Sequence, residues 1–261
     1  MLLLGALWTI VAFTLGTRGL WYDEIAAWRD YGSPADGRDA WWCLTHWFDP
    51  ANHPLQTFAS RLSFHWFSGL GGEVALRLPS ILAGLATVIT LWRWTERRSG
   101  SAIGVWAGAL AFTNPMFLDH ATEARGYAFM MLAGALSLPL ADHLHTTDRT
   151  NKTTLLKYAI VQGFGVSTHL TTAFLAVGHS ILGFTQRSWR LFLGSFLAAV
   201  LALPLLWPVL EGLWLTRDQL TQSVGTPQGG YGLLRVLGGQ AAFGWLLIPV
   251  MVHGLYQCPR D

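Results

Sequence analysis

Seven apolar stretches of this chain contain no Asp, Glu, Lys or Arg: 1–17, 78–92, 99–118, 126–141, 158–186, 191–210 and 236–259. A run of that length without a charge is what a helix needs to cross hydrocarbon, where each ionised group is costly. The run 158–186 has 29 residues, about 44 Å as one helix, too long for one comfortable span. It reads as a hairpin turning near Ser167, Thr168 and His169, which gives about eight spans. Only 12% of the 261 residues are charged and 52% are hydrophobic, whereas a soluble domain carries roughly 25% charged residues. The chain is therefore expected to be all-α, a polytopic transmembrane helical bundle. A soluble enzyme and a disordered chain are excluded. A net charge of +2 offers no basic face for nucleic acid.

The few charges set the orientation. With the N-terminus in the cytoplasm and eight spans, the cytoplasmic segments hold nine Lys or Arg against four acids, and the other side holds eight Arg against eleven acids. That asymmetry follows the positive-inside rule and supports the hairpin, because a single helix over 158–186 would put Arg187 and Arg190 outside. The opening MLLLGALWTI reads as a first span, since it lacks the basic flank of a secretory signal. Cys43 and Cys258 then lie on opposite sides and form no disulfide framework.

One long external loop, 20–77, carries Trp21, Trp28, Trp41, Trp42, Trp47 and Trp66. Indole prefers the headgroup level, so the loop is expected to lie along the membrane surface. Within it, Pro54 to Trp66 reads as an interfacial helix, with Leu55, Phe58, Ala59, Leu62 and Trp66 at helical spacing and Arg61 and His65 toward headgroups. No internal repeat or linker breaks the sequence, so residues 1–261 read as a single membrane domain.

The ionisable residues gather at one depth. Asp23 and Glu24 follow the first span, His53 precedes the interfacial helix, Glu73 and Arg77 open the second span, and Asp119, His120, Glu123 and Arg125 lie between the third and fourth. Proton-coupled transporters place such groups near the bilayer midplane, often in repeated halves. An enzyme acting on a lipid-borne head group places them at the interface, as here. Either of the adjacent carboxylates Asp23 and Glu24 could act as a general base on a hydroxyl. Arg77 is either an ordinary i,i+4 partner of Glu73 or a guanidinium suited to a phosphate. Glu123 and Arg125 form a second acid and base, and His53 is a candidate for phosphate or metal. A divalent cation on Asp23, Glu24 or Glu123 stays open, because no HExxH, Cys cluster or Gly-rich phosphate loop is present. His169 and His179, in apolar surroundings, read as packing residues.

Taken in order, the segments LWYDEIAAW, NHPLQTF, EVALRLPSILAGLATVITLW, NPMFLDHATEARGYAFMMLAGAL, GVSTHLTTAFLAVGHSIL and LALPLLWPVL resemble the C-type membrane glycosyltransferases. The nearest are bacterial relatives of protein O-mannosyltransferases and of the lipid A aminoarabinose transferase. The resemblance implies a sugar donor on a polyprenyl phosphate, used at the periplasmic face of the inner membrane and transferred to a hydroxyl by inverting displacement. It places the base at Asp23, with Glu24 beside it, and substrate binding at His53, Arg77, Glu123 and Arg125. The acceptor (protein, lipid A or another glycan) stays open. Family members commonly have ten or more spans and an external domain, whereas Asp261 follows directly on the eighth expected span. A short form, a truncated frame and a partner subunit supplying the remainder are the alternatives, beside an inactive fragment or a flippase for lipid-linked sugars.

Overall fold

A computed structural model describes residues 2–45, 53–146, 152–169 and 171–215, and among these the regular structure is helical throughout. The chain divides into two units, Met1–Gly212 and Leu213–Asp261, and the helical bundle with its charged end belongs to the first. The expected last span, 236–259, and Cys258 lie outside the described residues.

Helix α1 (Leu2–Gly16) is apolar around its circumference and ends at the polar Thr17 and Arg18. A short α2 (Tyr22–Ala27) runs into a π-turn at Trp28–Gly32, and α3 (Trp42–Thr45) buries the free thiol of Cys43. Helix α4 (Pro54–Phe67) opens with Pro at its first position, where the missing N–H costs nothing. Helix α5 (Gly72–Ser99) is the longest of the described helices, about 42 Å at 1.5 Å per residue. Gly100, at φ +94°, stops it with its N–H on the Glu96 carbonyl, a backbone conformation that side-chain-bearing residues rarely adopt. The chain returns through α6 (Ser101–Thr113) and α7 (Pro115–Ala121), bent by 69° at Asn114. The bend has a local cause: the Asn114 side chain accepts from the Phe117 N–H at 3.1 Å and Pro115 cannot continue the preceding helix. Helices α8 (Tyr127–Thr146), α9 (Lys152–Thr168), α10 (Thr172–Thr185) and α11 (Trp189–Leu215) follow. The break at 169–171 is the hairpin expected near Ser167 to His169.

The bundle is built inside out relative to a soluble protein. Its contacts use small and polar groups such as Ala75, Ser80, Gly84, Ala121, Ala133 and Ser137, while Ile10, Trp106, Leu110, Phe174, Ile181 and Phe184 face outward. Close packing through small residues with an apolar exterior is the membrane pattern. Gly84 shows why: a Cβ there would stand 2.7 Å from the Trp8 ring and from Ala121. Trp8 itself donates Nε1–H to the Ile81 carbonyl at 3.1 Å, tying α1 to α5. By length and composition two helices, α5 and α8, can cross a membrane, or three if the bent pair α6 and α7 is one span; Gly5–Gly16, Thr172–Thr185 and Trp189–Pro204 are apolar but shorter. Among the described residues, two or three of the about eight expected spans meet these criteria.

Helix α4 packs a polar face on the protein and turns its apolar stripe outward. Its buried face is polar and small (Gln56, Thr57, Ser60, Ser63), with Ser60 donating to the Leu76 carbonyl of α5 at 2.6 Å, and Leu62, Trp66 and Phe67 point away from the protein. Arg61 does not face headgroups. Its guanidinium donates to the backbone carbonyls of Ser33 and Arg38 and holds the preceding loop.

Candidate active site

Glu24 sits at the third position of α2, and its Oε2 accepts the Trp21 N–H at 2.8 Å, half of a capping box. The same carboxylate meets Arg77 of α5 through two parallel bonds, Nε to Oε1 at 2.9 Å and Nη2 to Oε2 at 2.5 Å. Oε1 also accepts the Ala124 N–H from the α7–α8 connection at 2.5 Å. The remaining Arg77 donors go to backbone: Nη1 to the carbonyls of Gly16 at 3.2 Å and Arg18 at 2.6 Å, and Nη2 to Gly19 at 3.1 Å. Arg77 therefore caps the free carbonyls at the end of α1, where a cation is favoured, and locks Glu24 in place. The side chains are 2% and 1% exposed. This corrects two expectations. Arg77 has no N–H left for a phosphate, and its partner is not Glu73, which is exposed, but a residue 53 positions away. Glu24 has its lone pairs occupied by N–H donors and is poorly placed to take a proton.

Asp23 is held differently. Its Oδ2 lies 3.3 Å from Nη2 of Arg125, with side chains 42% and 22% exposed. Arg125 thus stays open at this end of the bundle, and its Nε has no hydrogen-bond partner. The guanidinium stands 4.8 Å over the Tyr127 ring, a cation–π contact. Around that ring gather His120 at 4.5 Å and His169 at 4.7 Å, and His53 stacks on His169 at 4.9 Å with 21° between planes. Glu123 meets His120, Oε2 to Nδ1, at 3.5 Å.

His53 is buried, hydrogen-bonded to the Thr168 backbone, and its Nε2 has no partner. Burial, then His169, then Arg125 push its pKa down to about 3. Burial, Arg125 and His120 likewise push His169 down to about 4. Both imidazoles are neutral at pH 7, so His53 brings no positive charge to a phosphate. Gly126 makes the approach possible: a Cβ there would stand 2.4 Å from the Thr168 carbonyl and 3.1 Å from His53 Nδ1.

Every sequence-predicted residue, Asp23, Glu24, His53, Arg77, Glu123 and Arg125, converges on one end of the bundle, from α2, α4, α5 and the α7–α8 connection. His120, Tyr127 and His169 join them. His169, expected only to pack, lies at the hairpin turn on the side of the charged loops, and that position is the sequence signal for its place here. His179 is not a plain packing residue either. Between α9, α10 and α11, its Nδ1 bonds Tyr158 Oη at 2.8 Å and Gln162 Nε2 at 3.3 Å, and Tyr158 reaches Ser195 Oγ at 3.1 Å.

Among the described residues no three His, Cys, Asp or Glu side chains gather as metal ligands. Of the carboxylates considered for a divalent ion, Glu24 does not fit one, since it is occupied by Arg77 and by the N–H groups of Trp21 and Ala124.

A family model described as dolichyl-phosphate-mannose-protein mannosyltransferase matches residues 51–214. The match covers His53, Arg77, Glu123 and Arg125, and begins beyond Asp23 and Glu24. No curated protein and no solved structure matches the chain. An all-helical bundle with an apolar exterior, polar groups collected at one end, and a family match over more than half its length lead to one assignment: the chain belongs to the dolichyl-phosphate-mannose-protein mannosyltransferase family and is a membrane glycosyltransferase.

Proposed function

We propose that the chain moves a mannose-type sugar from a polyprenyl phosphate to an acceptor hydroxyl at the external (periplasmic) face of the inner membrane. The observation that carries this reading is the division of labour between two neighbouring carboxylates. Glu24 is sealed by Arg77, whereas Asp23 is half exposed and faces the open cation Arg125. A base and a guanidinium side by side at a membrane surface suit a reaction in which one atom loses a proton while a phosphate gains charge.

The chemistry follows from those groups. The anomeric carbon already bears a phosphate leaving group. Asp23 takes the proton of the acceptor hydroxyl as its oxygen attacks. The bond from the anomeric carbon to phosphate oxygen breaks, and Arg125 stabilises the charge that collects there. A single displacement inverts the anomeric carbon. Glu24 and Arg77 touch no substrate; they fix α2, the end of α1 and Ala124 so that Asp23 and Arg125 meet. The external assignment rests on the acidic excess of these loops and the basic excess of the others.

The test is the rate at which membranes carrying the chain release undecaprenyl phosphate from undecaprenyl-phosphoryl [14C]mannose and pass the label to endogenous acceptors. Asp23→Asn should reduce the rate by roughly 10³-fold or more with an unchanged melting profile. Undiminished transfer by a folded Asp23→Asn variant refutes the assignment.

A further inference from the structure

When the bond from sugar to phosphate breaks, the departing lipid phosphate gains a negative charge that one guanidinium neutralises only in part. His120 offers a second donor nearby: its ring is 4.5 Å from Tyr127, the side chain is 31% exposed, and Nδ1 is directed at Glu123. Its Nε2 has no hydrogen-bond partner among the described residues. Tyr127 is thus contacted by two groups a phosphate can use, the Arg125 guanidinium at 4.8 Å and the His120 imidazole.

We propose that His120 is a catalytic residue, delivering the Nε2 proton to the departing phosphate oxygen while Glu123 orients the ring through Nδ1. The inference rests on the transferase reading above. The acceptor proton goes to Asp23, the electron pair of the broken bond goes to the phosphate oxygen, and the His120 proton joins that oxygen to give the lipid hydrogen phosphate. Water then restores the proton to His120 and takes one from Asp23. An imidazole whose Nδ1 is held by a carboxylate presents Nε2 in a fixed direction, which is the geometry that passing a proton to a leaving oxygen needs.

Among the described residues, the groups around His120 are few. Glu123 lies 3.5 Å from its Nδ1. Arg125 and His169 contact the same Tyr127 ring, and His169, like His53 beside it, is neutral at pH 7. Asp119, on the same helix, is directed to Arg18 at 3.7 Å.

The experiment measures kcat against pH for undecaprenyl phosphate release in membranes bearing the wild type, H120Q, E123Q or D23N. H120Q should lower kcat on the order of 100-fold, leave KM for the donor nearly unchanged, and remove the alkaline limb of the profile. E123Q keeps the imidazole but loses the carboxylate that orients it, so kcat should fall on the order of 10-fold with KM for the donor nearly unchanged. If H120Q does not fold, an unchanged kcat in E123Q overturns the proposal. A folded H120Q with wild-type rate and profile, beside an inactive D23N, overturns this inference alone. Full activity in D23N, or no release by the wild type, overturns the transferase reading and this inference with it.

Discussion

Asp23 and Glu24 are chain neighbours, and each meets an arginine, yet the two ion pairs belong to different parts of the molecule. The inner pair, Glu24 and Arg77, is 1% and 2% exposed and every polar atom in it has a protein partner. The outer pair, Asp23 and Arg125, is 42% and 22% exposed and joined by one contact of 3.3 Å, with Arg125 Nε unpartnered. Desolvating two charges is expensive and is recovered only when all their hydrogen bonds are made, so the inner pair is a framework joint. An exposed pair contributes about 0–1 kcal/mol, which leaves the outer groups free to exchange partners with a substrate. One turn of helix thus presents one carboxylate inward, joined to the framework, and its neighbour outward, where we propose the chemistry takes place.

The largest expected effect falls on the inner pair. Arg77→Ala leaves Glu24 buried without its cation and the end of α1 uncapped, and should cost about 3–5 kcal/mol, read as lost folded protein in detergent. Arg77→Lys should rescue little, because an ammonium cannot reach both carboxylate oxygens and the carbonyls of Gly16, Arg18 and Gly19. A smaller loss, about 1–3 kcal/mol, is expected for Gly126→Ala, whose Cβ collides with the Thr168 carbonyl; the melting temperature reports it. Acid sharpens the contrast further. His53 and His169 are depressed to about 3 and 4 in the folded protein, so the unfolded chain binds their protons first. Stability should be full above pH ~6.5 and fall toward pH 4, each imidazole contributing about 1.4 kcal/mol per pH unit in that window. A melting temperature flat from about pH 7 to about pH 5 would contradict the neutral, stacked arrangement. Asp23→Asn is the mildest for stability, below about 1 kcal/mol.

Much of the helix plan is legible in the charge-free stretches, and the break between α9 and α10 falls near Ser167 to His169, where the length of 158–186 suggests it. The convergence of the charged loops is legible too, because a scarce charge must be at an interface. What spacing does not show is partnership. Arg77 and Glu24 are 53 residues apart, and the acid at helical spacing from Arg77, Glu73, is not its partner. The buried face of α4 is also hidden from the sequence, since inside an apolar exterior Ser60 and Gln56 bury and Leu62 and Trp66 do not. His169 escapes for the same reason: apolar neighbours along the chain say nothing about the rings of His53 and Tyr127 that pack on it.

The separation of adjacent carboxylates into framework and chemistry is open to a direct test. Asp23→Asn and Glu24→Gln, made side by side, are compared through two readouts on the same membranes: melting temperature and transfer of label from undecaprenyl-phosphoryl mannose. Asp23→Asn should melt like the wild type and transfer nothing, while Glu24→Gln should lose about 3–5 kcal/mol of stability. A stable Glu24→Gln protein together with an active Asp23→Asn protein would refute that separation.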